Sequence, residues 1–66
     1  MQLVVNGTAR EVTEGATIAV LLATLGLDQR RVAVELNEQV IPRARHPETV
    51  LKPSDRVEIV TFVGGG

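Results

Sequence analysis

The chain has 66 residues, 44% hydrophobic and 23% charged, a composition that folds as one domain rather than staying disordered. Seven Lys and Arg against eight Asp and Glu leave a net charge of -1, which excludes the strong positive field that drives binding to nucleic acid or anionic membrane. The absence of cysteine excludes disulfides, zinc-thiolate sites and cysteine nucleophiles, and Phe62, the one aromatic residue, gives no base-stacking platform.

Residues 1–5 alternate, with Met1, Leu3 and Val5 on one face, and predict a strand. Asn6-Gly7 then favours positive φ and predicts a hairpin into a second strand at 8–13, with Val12 its inward residue. Glu14-Gly15 breaks the pattern. Thr17 is the expected N-cap of a helix, because its hydroxyl can accept from an unpaired first-turn N–H. Ile18, Leu21, Leu22 and Leu25 recur at i, i+3, i+4 and i+7 and form one apolar stripe. Gly26 is the expected C′ stop, with Leu27 packing back on Leu22. A helix of roughly ten residues is too short to stand alone, so it must lie against a sheet.

Residues 31–37 alternate again, with Val32, Val34 and Leu36 inward and Ala33, Glu35 and Asn37 outward. A short strand at 38–41 is closed by Pro42. Residues 43–49 read as a polar loop with room for one helical turn, in which His46, flanked by Arg45 and Pro47, is a solvated residue. Val50 and Leu51 are expected to plug the core from that loop, and residues 52–55 predict a β-turn with Pro53 second and Asp55 fourth. The last strand, at 56–62, puts Val57 and Ile59 on one face and Glu58, Val60 and Phe62 on the other. The fold class is therefore α+β, a mixed sheet of four to five strands covered on one face by one amphipathic helix. Residues 1–62 make the domain, and 63–66 a flexible C-terminal glycine tail.

Function is expected from the tail and its surroundings. A domain this small buries only about 60% of the surface its unfolded chain exposes, which leaves little room for a catalytic pocket. Glu35, Glu38 and Glu58 fall outward and make no catalytic pair. Among Arg30, Arg31, Arg43 and Arg45, ordinary solvated surface outweighs steering of an acidic partner. The expectation is a binding or carrier module and not an enzyme, with no metal site. No apolar run approaches ~18–20 residues, and Met1-Gln2-Leu3 lacks a charged n-region, so neither a membrane span nor a secretory signal is expected and the location is cytoplasmic. Val63 and Gly64-Gly65-Gly66, fully extended, reach about 13–14 Å from the domain, enough to thread a channel too narrow for side chains. The carboxylate of Gly66 is ionised at neutral pH and can attack a phosphorus electrophile. If the helix covers the Val57/Ile59 face, then Val60, Phe62 and Val63 form a partner-docking surface beside the tail. A bulge or twist would instead tuck Phe62 into the core, and the period of two permits either.

In order and spacing these features resemble the thiamine-biosynthesis sulfur carriers, the ThiS family of ubiquitin-like β-grasp proteins, over essentially all 66 residues. The resemblance is carried by the Asn6-Gly7 hairpin, Glu14-Gly15-Ala16-Thr17 ahead of the Leu21-Leu22 pair, and Val32-Ala33-Val34-Glu35-Leu36-Asn37. It continues through Val40-Ile41-Pro42-Arg43, Asp55-Arg56-Val57-Glu58-Ile59-Val60 and Phe62-Val63-Gly64-Gly65-Gly66. The family requires Gly65-Gly66; Gly64 is an additional glycine.

The resemblance implies a non-catalytic carrier that serves as cosubstrate of other enzymes. A ThiF-like adenylyltransferase would thread Gly64 and Gly65 and join Gly66 to the α-phosphate of ATP, releasing pyrophosphate. A cysteine desulfurase or another persulfide donor would then supply sulfur, giving a thiocarboxylate for a thiazole synthase to use. ATP and its magnesium would sit in the partner, and this chain would bind no cofactor. Other acceptors, such as a molybdopterin precursor or tRNA, remain open. So do attachment of Gly66 to a target lysine, as by a ubiquitin-like modifier, and an interaction domain with an inert tail. Lys52 is the one lysine on which such a modifier could extend a chain.

Overall fold

Asn6 and Gly7 both take positive φ, 49° and 80°, and so close a two-residue loop between β1 (Gln2–Val5) and β2 (Thr8–Glu11) whose twist suits the antiparallel pair. The structure, a computed structural model, describes residues 1–62. Val63, Gly64, Gly65 and Gly66, on which the tail and the modification site were placed, lie outside the described residues.

The helix α1 (Ile18–Thr24) begins where Thr17 Oγ1 accepts from the Val20 N–H at 3.2 Å. It ends in a Schellman arrangement. Gly26 has φ of 73° and its N–H reaches Ala23 O at 3.0 Å, while the Leu27 N–H reaches Leu22 O at 2.9 Å. At seven residues it is shorter than the spacing suggested, because Leu25 is already the C-cap. A 3₁₀ turn at Gln29–Arg31, capped by Asp28 Oδ1 on the Arg30 N–H, then feeds β3 (Val32–Leu36).

Asn37 and Glu38 are not strand residues, as the alternation implied. They form a second two-residue loop with φ of 50° and 71°, turning β3 into β4 (Gln39–Ile41). A 3₁₀ turn at Arg43–Arg45 follows. The expected turn at 52–55 is present, with Ser54 at φ 68° and the Asp55 N–H on Lys52 O at 3.1 Å. It leads into β5 (Arg56–Thr61).

The sheet order is β2-β1-β5-β3-β4, so the last strand is the central one, parallel to β1 and antiparallel to β3. Ile18, Leu21 and Leu22 of α1 pack on Leu3, Val5, Val34, Val57 and Ile59 of the sheet, all buried. Val12, Leu25 and Leu27 close the rim as half-buried neighbours.

Two loop residues depart from expectation. Leu51 is 2% exposed and does plug the core, whereas Val50 is 51% exposed. The segment is extended, with Val50 bridging Thr17 and the Leu51 N–H on Ala16 O, so adjacent side chains point opposite ways. His46 is not solvated; it is 1% exposed. The 43–49 segment folds over the helix start, where the Ala19 N–H donates to His46 O at 3.2 Å. Among the described residues no helix is long and apolar enough to cross a membrane.

Candidate functional site

The site expected from the sequence is the end of β5, and its alternation decides what that end presents. Val57 and Ile59 lie under the helix at 1% and 8% exposure. Val60 and Phe62 point to the other side of the sheet and are 60% and 58% exposed. The alternative of a bulge tucking Phe62 into the core is therefore not what the chain adopts.

Two sets of hydrogen bonds keep the strand straight to its end. Beyond Val5, where β1 stops, the Asn6 side chain stands in for backbone: its Oδ1 accepts from the Ile59 N–H at 2.7 Å and its Nδ2 donates to Ile59 O at 3.1 Å. On the other edge the Phe62 N–H donates to Arg31 O at 2.8 Å. Both flanks of β5 are thus satisfied past the end of one neighbouring strand, which is what makes a bulge unnecessary.

The exposed face around this end is set by register. Val60 lies opposite Ala33, Glu58 opposite Glu35, and Glu35 opposite Val40, which is 70% exposed. The face carries separate valines, a phenylalanine, the Glu35 and Glu58 carboxylates and, at the start of β5, the Arg56 guanidinium, on the side of the sheet away from α1. Val63, the third residue expected here, lies outside the described residues, as do Gly64, Gly65 and Gly66.

The remaining polar groups are structural. His46 Nε2 lies 3.1 Å from Ile41 O, which assigns the proton to Nε2; Nδ1 is buried without a partner. The buried ring ties the 43–49 loop to β4. Arg30 pairs with Asp28 at 3.2 Å, and Arg45 with Glu48 at 3.3 Å, so two of the four candidate steering arginines hold local partners. The Arg30 hydrogen bond holds the Asp28 carboxyl below its usual range. Among the described residues no three His, Cys, Asp or Glu side chains are grouped to hold a metal ion.

Two grooves flank the helix. One of about 90 Å³ lies between β2 and α1 beside Val12, Leu21 and Leu25. The other, of about 400 Å³, lies beside Leu25, Leu27, Ile59 and Thr61. Arg10 and Glu11 are the titratable groups that line them, and these make no acid–base pair suited to catalysis.

Comparison with known proteins gives a consistent picture. The model of the ThiS family matches residues 3–66. The chain is 41% identical over 66 residues to a thiazole synthase of Paramagnetospirillum magneticum, covering all of this chain and 20% of that protein. It is 46% identical over 50 residues to the sulfur carrier protein ThiS of Bacillus subtilis, covering 76% of each. In three dimensions it is similar to the crystal structure of the thiamine biosynthesis protein ThiS from Geobacter metallireducens, with a TM-score of 0.85 and 39% identity over the full length of both. The chain spans about one-fifth of the length of the thiazole synthases it matches.

Proposed function

From its membership of the ThiS family, to which the chain belongs over residues 3–66, we propose that this protein is the sulfur carrier of thiamine biosynthesis, working through the carboxylate of Gly66. The fold is the ubiquitin-like β-grasp, in which a mixed five-stranded sheet holds one helix on one face. The observation that carries the reading is the central position of β5. The strand that leads to the glycines is held on its β1 side as far as Ile59, by Asn6, and on its β3 side as far as Phe62, by Arg31.

In this reading a ThiF-like adenylyltransferase binds the exposed sheet face around Val60, Phe62 and Val63. Gly64 and Gly65 thread its channel. A Gly66 carboxylate oxygen attacks the α-phosphorus of ATP, the bond to the pyrophosphate oxygen breaks, and an acyl-adenylate forms. Glycine offers that attack the least steric hindrance. ATP and its magnesium belong to the partner, since Gly15 alone, ahead of α1, supplies no Gly-rich phosphate cradle. A persulfide from a cysteine desulfurase or another donor then attacks the acyl carbon and AMP leaves. Thiol cleavage of the resulting acyl disulfide frees the thiocarboxylate, which a thiazole synthase consumes. The carrier supplies position and a reactive terminus and does no catalysis of its own. Sulfur carriers named as such in Bacillus subtilis, Escherichia coli and Thermus thermophilus support the assignment.

The test is reconstituted thiazole formation with the adenylyltransferase, synthase, ATP and sulfur donor. Deleting Gly65-Gly66, or adding one residue after Gly66, abolishes product while circular dichroism and thermal unfolding stay unchanged. Product formation by either variant at the wild-type rate contradicts the terminal-carboxylate mechanism.

A further inference from the structure

The two hairpin loops are built alike. Asn6-Gly7 joins β1 to β2 with φ of 49° and 80°, and Asn37-Glu38 joins β3 to β4 with φ of 50° and 71°. Both asparagines are exposed, and each turns its side-chain amide onto the central strand or the residue before it. Asn6 accepts from the Ile59 N–H at 2.7 Å and donates to Ile59 O at 3.1 Å. Asn37 accepts from the Arg56 N–H at 2.9 Å and donates to Asp55 Oδ1 at 3.0 Å. The loops differ in the residue that follows the asparagine. With no Cβ beside it, the Gly7 nitrogen has open access to the neighbouring side-chain carbonyl carbon, whereas the Cβ of Glu38 hinders the same approach to Asn37.

We propose that Asn6 is a covalent modification site, a deamidation site gated by its hydrogen bonds to Ile59, and that its conversion withdraws the support of β5 on the β1 side. The Gly7 nitrogen, having lost its proton to solvent, bonds to Asn6 Cγ. The Cγ–Nδ2 bond breaks and ammonia leaves, which closes a succinimide ring. Water then opens the ring. Cleavage at Cγ leaves an aspartate, and cleavage at the backbone carbonyl leaves an isoaspartate, in which the chain runs through Cγ. Nothing is oxidised or reduced: one water enters and one ammonia departs.

Ring closure draws Cγ onto the Gly7 nitrogen, and Oδ1 and Nδ2 cannot both stay on Ile59 while it does so. The folded hairpin therefore protects Asn6 until the loop opens locally. After conversion the clamp cannot re-form. A carboxylate only accepts, so no donor faces Ile59 O, and an isoaspartate adds a methylene to the backbone of a loop whose two residues match the twist of the strands. The inference goes beyond the carrier reading and stands on the hairpin and β5 alone.

The experiment incubates the protein at mildly alkaline pH, folded in buffer and unfolded in urea. Fragment mass analysis follows the exchange of amide for carboxyl at Asn6 and Asn37. In urea Asn6 converts several-fold faster than Asn37, and Glu38→Gly brings Asn37 up to the rate of Asn6. In buffer Asn6 is slowed about 5- to 150-fold, the factor that two net hydrogen bonds supply. The converted protein carries one more negative charge and separates on anion exchange. It melts at least about 4 °C below the unconverted protein. Equal rates at Asn6 and Asn37 in urea, or an inert Asn37 in Glu38→Gly, overturn the assignment of the site. Equal rates for Asn6 in buffer and urea overturn the gate. So does protection as large as the global unfolding constant from a urea titration, because the hairpin then never opens by itself. An unchanged melting temperature in the converted protein overturns the effect on β5.

Discussion

The side-chain amide of Asn6 takes both backbone groups of Ile59, donating to its carbonyl at 3.1 Å and accepting from its N–H at 2.7 Å. Asn6 also sits at φ 49° in the hairpin loop, so one residue turns the chain and extends the ladder of the central strand. Asn6→Gly preserves the turn and removes the two side-chain bonds. At about 0.5–1.5 kcal/mol each, their loss lowers stability by about 1–3 kcal/mol. In a domain of this size that is roughly 4–8 °C of Tm per kcal/mol. Amide exchange at Ile59 accelerates more than at Leu3. Unchanged exchange there contradicts the clamp.

Glu38 carries the second positive φ of the β3–β4 loop, 71°, where a left-handed conformation costs an L-residue about 1–2 kcal/mol. Glycine relieves that cost but adds about 0.5–1 kcal/mol of unfolded-state entropy. Glu38→Gly therefore stabilises by up to about 1.5 kcal/mol. Denaturant unfolding measures it, and a clear loss of stability contradicts the turn geometry.

His46 fills a fully buried position and satisfies Ile41 O through Nε2. His46→Ala leaves a cavity and an unpaired carbonyl, together about 2–4 kcal/mol. A core this small supplies about 3–5 kcal/mol, so the variant loses most of its stability. His46→Gln, which can place a nitrogen near Nε2, loses distinctly less in the same urea titration. Equal stability of His46→Ala and wild type contradicts a core role.

Asp28 is held below the usual carboxyl range, first by the Arg30 side-chain hydrogen bond and then by the Arg30 backbone N–H. A depressed folded value means that any stabilisation is present above the unfolded pKa of about 3.9 and is lost as pH falls through the folded value. Arg30→Ala raises the Asp28 midpoint in a carboxyl-carbon NMR titration. Both groups are solvent-exposed, so Tm at neutral pH stays essentially unchanged. A midpoint unaffected by the substitution contradicts the pairing.

Local signals explain what was readable in the sequence. Period-two alternation, Asn6-Gly7, the Thr17 cap, Gly26-Leu27 and the 52–55 turn all lie within a few residues of the structure they specify, and each is present. The features that escaped depend on distant partners. His46 sits in a polar stretch, and its burial follows from a loop folding over the start of α1. Leu51 and Val50 look alike until Ala16 and Thr17 pair with the segment. The Asn37-Glu38 turn lacks the glycine that usually marks one, and alternation continued through it. At the candidate site the period left two outcomes for Phe62. Asn6 and Arg31, far away in sequence, select the exposed one by holding β5 flat.

Intact-mass analysis of the carrier after incubation with its adenylyltransferase, ATP and sulfur donor tests the assignment of chemistry to Gly66 most directly, with fragmentation to locate any change. The account predicts that one oxygen is replaced by sulfur, within the fragment that contains Gly66. An unchanged mass beside a demonstrably active adenylyltransferase, or sulfur carried on any other fragment, contradicts it.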